Sequence, residues 1–159
     1  MAATIRVEAH VAHAHPGCGN GVAWSLELRR GGTRQLLAGG ALGVAQNTKI
    51  GPIENLAVQP GDLVSLLISA REGDHSCDLT AIDLTLASSG AGARTWDLAA
   101  DVSPDVLAGN PHGDRFGNEG VWHFYTEPDT GRGGDRDPRG LTARALAIGP
   151  ERGGKKCAR

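Results

Sequence analysis

The sequence predicts an all-β fold, an antiparallel β-sandwich or jelly roll. Three observations predict it. Short segments in which apolar and polar residues alternate recur along the chain, and a period of two is the mark of a half-buried strand. Glycine is abundant, at 24 of 159 residues with 8 prolines, so the segments are separated by many tight turns. A single methionine and few long helical runs lean away from a helical bundle.

Ile5, Val7, Ala9 and Val11 alternate with Arg6, Glu8 and His10, and form the first predicted strand. His13 to Gly21 is a loop by composition. Val22, Trp24, Leu26 and Leu28 alternate with Ala23, Ser25, Glu27 and Arg29 in a second strand. A turn over Arg30–Thr33 leads to a short third strand over Gln35–Ala38. Gly39 to Gln46 carries little pattern. Lys49-Ile50 and Ile53 to Val58 read as a strand pair or one broken strand. Gln59-Pro60-Gly61-Asp62 is a strong turn, with proline presetting φ and glycine supplying a positive one. Leu63 to Ser69 is nearly all apolar, which suits a strand buried on both faces. Asp78 to Leu86 is strand-like, with Ile82, Leu84 and Leu86 on one side. Ser88 to Ala93 is a flexible break. Ser103 as N-cap and Pro104 at the first helical position predict a helical turn over Val102–Ala108. These elements make residues 1–128 a β-sandwich module with a long irregular loop near its C-terminus. Residues 129–159 are expected to form a flexible C-terminal extension, with a short helix over 141–148.

Composition excludes several classes. The formal net charge is −2, so no large basic field exists to hold a nucleic-acid backbone. The basic cluster Arg152, Lys155, Lys156 and Arg159 reads as a solvated tail. No apolar run approaches the ~20 residues of a membrane span, and the chain opens without the pattern of a signal peptide. G-x-S-x-G, H-E-x-x-H, the phosphate-cradling G-x-x-x-x-G-K-[ST] and the haem motif C-x-x-C-H are all absent. Asp78, Asp83, Asp97 and Asp101 could pair as acid and base only if the fold brought two of them together. The expectation is a non-catalytic protein.

Two loop constellations carry ligand chemistry. His13, His15 and Cys18 close one strand, and His75, Cys77 and Asp78 open another. Thiolate and imidazole suit zinc when three or four converge, although the spacing is no standard zinc pattern. A Cys18–Cys77 disulfide is the simpler alternative, and two unlinked buried cysteines are the third. Cys157 reads as an incidental thiol. The other constellation runs from Trp96 to Tyr125. The chain has 3 tryptophans, 2 phenylalanines and 1 tyrosine, and Trp96, Trp122, Phe124 and Tyr125 bracket a loop rich in Gly, Asn, Asp and His. Flat rings beside hydrogen-bonding groups suit a sugar, whose C–H face is weakly apolar and whose hydroxyls need polar partners. Asn110, Asp114, Asn118 and Glu119 carry the hard oxygens that calcium takes. Asx-turns, in which those side chains bond their own backbone, are the alternative. Trp122 and Phe124 sit at strand spacing and could both point into the core, with His123 and Tyr125 facing out. Trp24 lies in an apolar stripe and belongs to the core.

Three segments, HAHPGCGNGVAWSLELRRG, GPIENLAVQPGDLVSLLISAREGDHSCDLTAIDLTL and WDLAADVSPDVLAGNPHGDRFGNEGVWHFYTEP, resemble a module of large planctomycete proteins. Those proteins combine a planctomycete-type cytochrome c domain with two characteristic domains of unknown function. The resemblance covers roughly residues 4–128. It implies an exported protein, periplasmic or extracellular, that takes part in polysaccharide breakdown, with this chain as an excised module. It also implies a carbohydrate-binding or galactose-binding-like sandwich. The haem cysteines of such proteins belong to another domain.

The leading expectation is thus a module that binds a polysaccharide or oligosaccharide. Trp96, Trp122 and Tyr125 would supply stacking faces. Asp97, Asn110, His112, Asp114, Asn118 and His123 would contact hydroxyls, some of them through a calcium ion. A docking module for the neighbouring domains is the alternative, and a zinc site at His13, His15, Cys18, His75, Cys77 and Asp78 is the third reading. No nucleic-acid or membrane partner is expected.

Overall fold

A computed structural model describes residues 3–103, 105–106 and 108–126. The predicted 141–148 helix, the C-terminal extension, Pro104 and Cys157 lie outside those residues. The elements are β1 (Ala3–His13), β2 (Val22–Arg30), β3 (Thr33–Leu42), β4 (Asn47–Val58), β5 (Leu63–Ala70), β6 (Thr80–Ser88), β7 (Thr95–Asp97) and α1 (Leu98–Asp101). A short 3-10 turn spans Arg71–Gly73. One sheet has the strand order β4-β1-β6-β7 and the other β3-β2-β5. The paired strands are antiparallel throughout.

The inner faces follow from the alternation. Val7 and Val11 on β1 are fully buried, with Ala9 between them, and they meet Val22 and Leu26 of β2 across the sandwich. Leu42, Ile50, Leu84 and Trp122 complete this core. The β2–β3 hairpin turns at Gly31-Gly32 and pairs Arg30 with Thr33. The Gln59–Asp62 turn closes with Asp62 N–H donating to the Gln59 carbonyl at 3.0 Å, and Gly61 supplies the positive φ that its position requires. Arg30 holds this turn from outside, donating to both Asp62 oxygens at 2.9 and 2.6 Å.

The structure departs from the sequence expectation along β3 and β5, and again in the segment after β7. β3 continues through Gly39-Gly40 to Leu42, because the ring of Trp24 lies over Gly40, where a Cβ would come within 2.8 Å of it. β4 is one strand, with irregular pairing to β1 around Val7. β5 is not buried on both faces. It lies at an edge of its three-stranded sheet, and Leu63 is 49% exposed. Apolar content gives a strand's affinity for the core, but not its place in the sheet order.

β7 pairs only with Thr85–Ala87 of β6. The rest of β6 is flanked by the following segment, the long predicted loop. Its one helical turn falls on Leu98–Asp101 rather than on Val102–Ala108. Asp97, not Ser103, is the N-cap, and its carboxylate accepts from Ala100 N–H at 3.1 Å. Further along, a turn closes from Asp105 to Ala108 instead. No helix among the described residues is long and apolar enough to cross a membrane.

Candidate functional site

Residues 98–126 form a cap beside β6, held by side chains that reach back across it. Trp122 is 6% exposed and belongs to the sandwich core. It is therefore not a stacking face for a ligand. Its indole N–H is a buried donor that needs a partner, and it finds Asp101 Oδ2 at 3.0 Å. The other oxygen of Asp101 accepts from Arg115 Nε at 2.7 Å. Burial pushes the Asp101 carboxyl up, but the Arg115 guanidinium, the Trp122 indole and the backbone N–H groups of Asp97 and Arg115 outweigh it and hold the group below its ordinary value.

Asp114 plays the same part for Trp96. Trp96 Nε1 donates to Asp114 Oδ2 at 2.7 Å. Asn118 Nδ2 donates to the same oxygen at 2.7 Å. Asp114 Oδ1 accepts from the N–H groups of Phe116 and Asn118, both at 2.9 Å. Burial again raises the carboxyl, and the Asn118 side chain and backbone, Trp96 and Phe116 together pull it down to about 2. Four N–H donors occupy the acceptor sites of this carboxylate. Asp114 is thus an Asx-type staple of its own loop, and its geometry offers no lone pair to calcium.

The other predicted ligand contacts have internal partners as well. Asn110 donates to the Phe124 carbonyl at 2.9 Å and accepts from Phe124 N–H at 3.1 Å. His112 pairs with Trp122 through the backbone, and its Nε2 donates to the Val106 carbonyl at 2.9 Å. Its ring meets Phe124 edge-on. Asp97 caps α1. These groups build the cap, so their hydroxyl-binding capacity is largely used before any ligand arrives.

Two large aromatic residues of the cap, Phe116 and Tyr125, are exposed. Tyr125 is 38% exposed and lies flat against His123, with ring centroids 5.5 Å apart and an interplanar angle of 12°. The Tyr125 hydroxyl donates to His123 Nδ1 at 2.6 Å, while His123 Nε2 donates to the Gly120 carbonyl at 2.8 Å. Both rings are thereby fixed. Phe116, which the sequence did not single out, is 40% exposed. It stands edge-on to Trp96 at 6.0 Å, with the Arg94 guanidinium 4.9 Å above its ring. Asn118 and Glu119 are exposed on the same loop. Between the cap and β6 lies an open apolar groove of about 300 Å³, lined by Ile82, Leu98, Val102 and Phe124 among others.

Cys18 and Cys77 are joined by a disulfide. His13 is fully buried and hydrogen-bonds Asp78 Oδ1 through Nε2 at 3.2 Å. His13 Nδ1 accepts from Ala45 N–H at 3.2 Å, which makes Nε2 the donor to Asp78. His75 is exposed. Of the six predicted metal ligands, only His15, Cys18 and Cys77 bring their ligand atoms together, all within 4.8 Å of one another. His13 and Asp78 are instead a structural pair.

Arg115 and Phe116 are the residues that sequence reasoning missed in the cap, and Asp101, named there only as a possible acid or base, is the partner of Trp122. The one usable signal was chemical: each tryptophan needs an acceptor, and the cap is rich in aspartates. The chain matches no family model, no curated protein and no solved structure.

Proposed function

We propose that the chain is a non-catalytic module that binds a polysaccharide or oligosaccharide, as part of an exported multidomain protein. The observation that carries this reading is the pair of exposed aromatic sites on the cap, the stacked His123–Tyr125 rings and Phe116, which stands edge-on to Trp96. A pyranose stacks its C–H face on such a ring, and rings held in place beforehand lose little entropy on binding. Exposed Asn118 and Glu119 can serve the hydroxyls.

The test is affinity electrophoresis of the chain against a panel of soluble polysaccharides, with and without EDTA. Retardation by one glycan class, lost in Tyr125→Ala or Phe116→Ala at unchanged melting temperature, supports the reading. Because Asp114 has its acceptor sites occupied, retardation is expected to survive EDTA.

A second reading is a docking module for neighbouring domains, favoured by the open apolar groove along β6. It predicts no retardation by any glycan. It also predicts a complex with another domain of the parent protein that Val102→Glu disrupts.

A further inference from the structure

The far ends of β1 and β6 carry a second constellation, independent of the cap. His15, Cys18 and Cys77 present one nitrogen and two sulfurs within 4.8 Å of one another, and all three residues are half-buried. We propose that, when a dithiol reduces the Cys18–Cys77 bond, these three side chains hold a zinc ion.

Zinc takes tetrahedral sulfur and nitrogen ligands at about 2.3 and 2.0–2.1 Å, which puts neighbouring ligand atoms about 3.5–3.8 Å apart. The His15 nitrogen lies within 4.8 Å of both sulfurs, roughly 1 Å beyond that spacing at most, and the two sulfurs, bonded to each other in the oxidised chain, must move apart to reach it. The Cα atoms of the two cysteines are 5.4 Å apart, so side-chain rotation alone can separate the sulfurs far enough to share an ion.

The loops stay together without the covalent link. Asp78, next in sequence to Cys77, accepts from Gly21 N–H at 3.2 Å and from His13 Nε2. Ala14 N–H donates to the Leu79 carbonyl at 2.7 Å. Asn20 and Arg71 exchange bonds between the same loops, at 2.8 and 3.2 Å. A framework that holds the ligands before the ion arrives lowers the cost of binding.

Asp78, next in sequence to Cys77, carries an unpartnered buried acceptor. The Asp78 side chain is 7% exposed, and its Oδ2 is buried with no hydrogen-bond partner among the described residues. A buried carboxylate oxygen without a donor is costly, and a positive ion beside Cys77 lowers that cost.

The chemistry balances in two steps. The dithiol gives two electrons and two protons to the Cys18–Cys77 bond, which opens to two thiols while the dithiol closes to its own disulfide. Zinc then displaces both thiol protons and binds the thiolates and the His15 imidazole, leaving its fourth position to water. The oxidised chain holds no thiolate in this cluster and binds no ion there.

The test uses the full chain carrying Cys157→Ser, with cobalt(II) as the probe for zinc. The protein is reduced with a phosphine, desalted without oxygen and titrated. The expected result is a sulfur-to-cobalt charge-transfer band that saturates at one ion per chain and is abolished by zinc. The oxidised chain shows no band. His15→Ala weakens cobalt binding by more than the roughly 10–100-fold that loss of an outer-shell partner costs, while His75→Ala leaves it unchanged. Absence of the band in the reduced chain overturns the proposal, as does equal binding by His15→Ala and His75→Ala. If reduction unfolds the chain, zinc should restore its β-sheet circular dichroism. Failure to restore it, with no cobalt band, overturns the proposal equally. Glycan binding plays no part in any of these readouts.

Discussion

Trp122 and Asp101 are joined by a 3.0 Å hydrogen bond across 21 residues of sequence. The ring of Trp122 lies in the sandwich core, whereas Asp101 closes α1 at the start of the cap. One bond therefore ties the start of the cap to the core of the sandwich.

Replacing Trp122 with alanine removes a buried ring and leaves Asp101 Oδ2 without its indole donor. The expected loss is about 3–5 kcal/mol of stability, read as a lower midpoint in chemical denaturation. Trp122→Phe keeps most of the volume and loses the N–H, so it should cost less, about 1–3 kcal/mol. Equal midpoints for Trp122→Ala and the parent would place the ring outside the core.

Acid should loosen the cap through Asp114. Its carboxyl sits at about 2 in the folded chain against an ordinary 3.8. A group depressed by folding binds fewer protons folded than unfolded, so its stabilisation is full above about pH 4 and is lost as pH falls through about 2. Asp101, also lowered, adds in the same direction. Asp114→Asn should be less stable at neutral pH and should lose less stability than the parent between pH 4 and 2. Fluorescence of Trp96 and Trp122 against pH would read this.

The Cys18–Cys77 link closes a loop of 59 residues, for which chain entropy gives about 4 kcal/mol. The double variant Cys18→Ala, Cys77→Ala should lose up to that amount, and reductant should shift the parent's denaturation midpoint but not the variant's. A parent insensitive to reductant would mean that the pairing contributes little.

Gly21 cannot be replaced. Its φ is +93°, and a Cβ there would run into the Leu42 carbonyl oxygen. Both obstacles are backbone, so neither yields easily. Gly21→Ala should cost about 2–4 kcal/mol, and Gly17→Ala, which meets nothing within 4 Å, should be nearly neutral. Thermal melts of the two variants side by side make the comparison.

Much of the sandwich was legible because burial on one face writes a period of two into a strand. Ile5, Val7, Ala9 and Val11 alternate in the sequence, and Val7, Ala9 and Val11 point into the core. The Gln59–Asp62 turn was equally plain, since proline and glycine each fix one of its dihedral angles. β5 was expected to be buried on both faces, but an apolar run says nothing about which neighbours a strand acquires. The cap was the least legible part. Trp96 and Asp114 are 18 residues apart, and Trp122 and Asp101 further still. No local rule pairs an indole with one aspartate among several. Phe116 gave no signal either, since a lone ring in a polar loop shows its neighbours only once the loop is folded. The Ser103-Pro104 capping pattern was a fair local signal, but Asp97, the last residue of β7, caps the helical turn at Leu98 instead.

The short β7 has a consequence beyond the cap's own stability. It covers only Thr85–Ala87 of β6, so the start of that strand depends on Leu98, Val102 and Phe124 for its cover. A strand edge left bare is a template on which another molecule can pair. Damage to the cap should therefore appear first as aggregates rather than as lost affinity for any ligand.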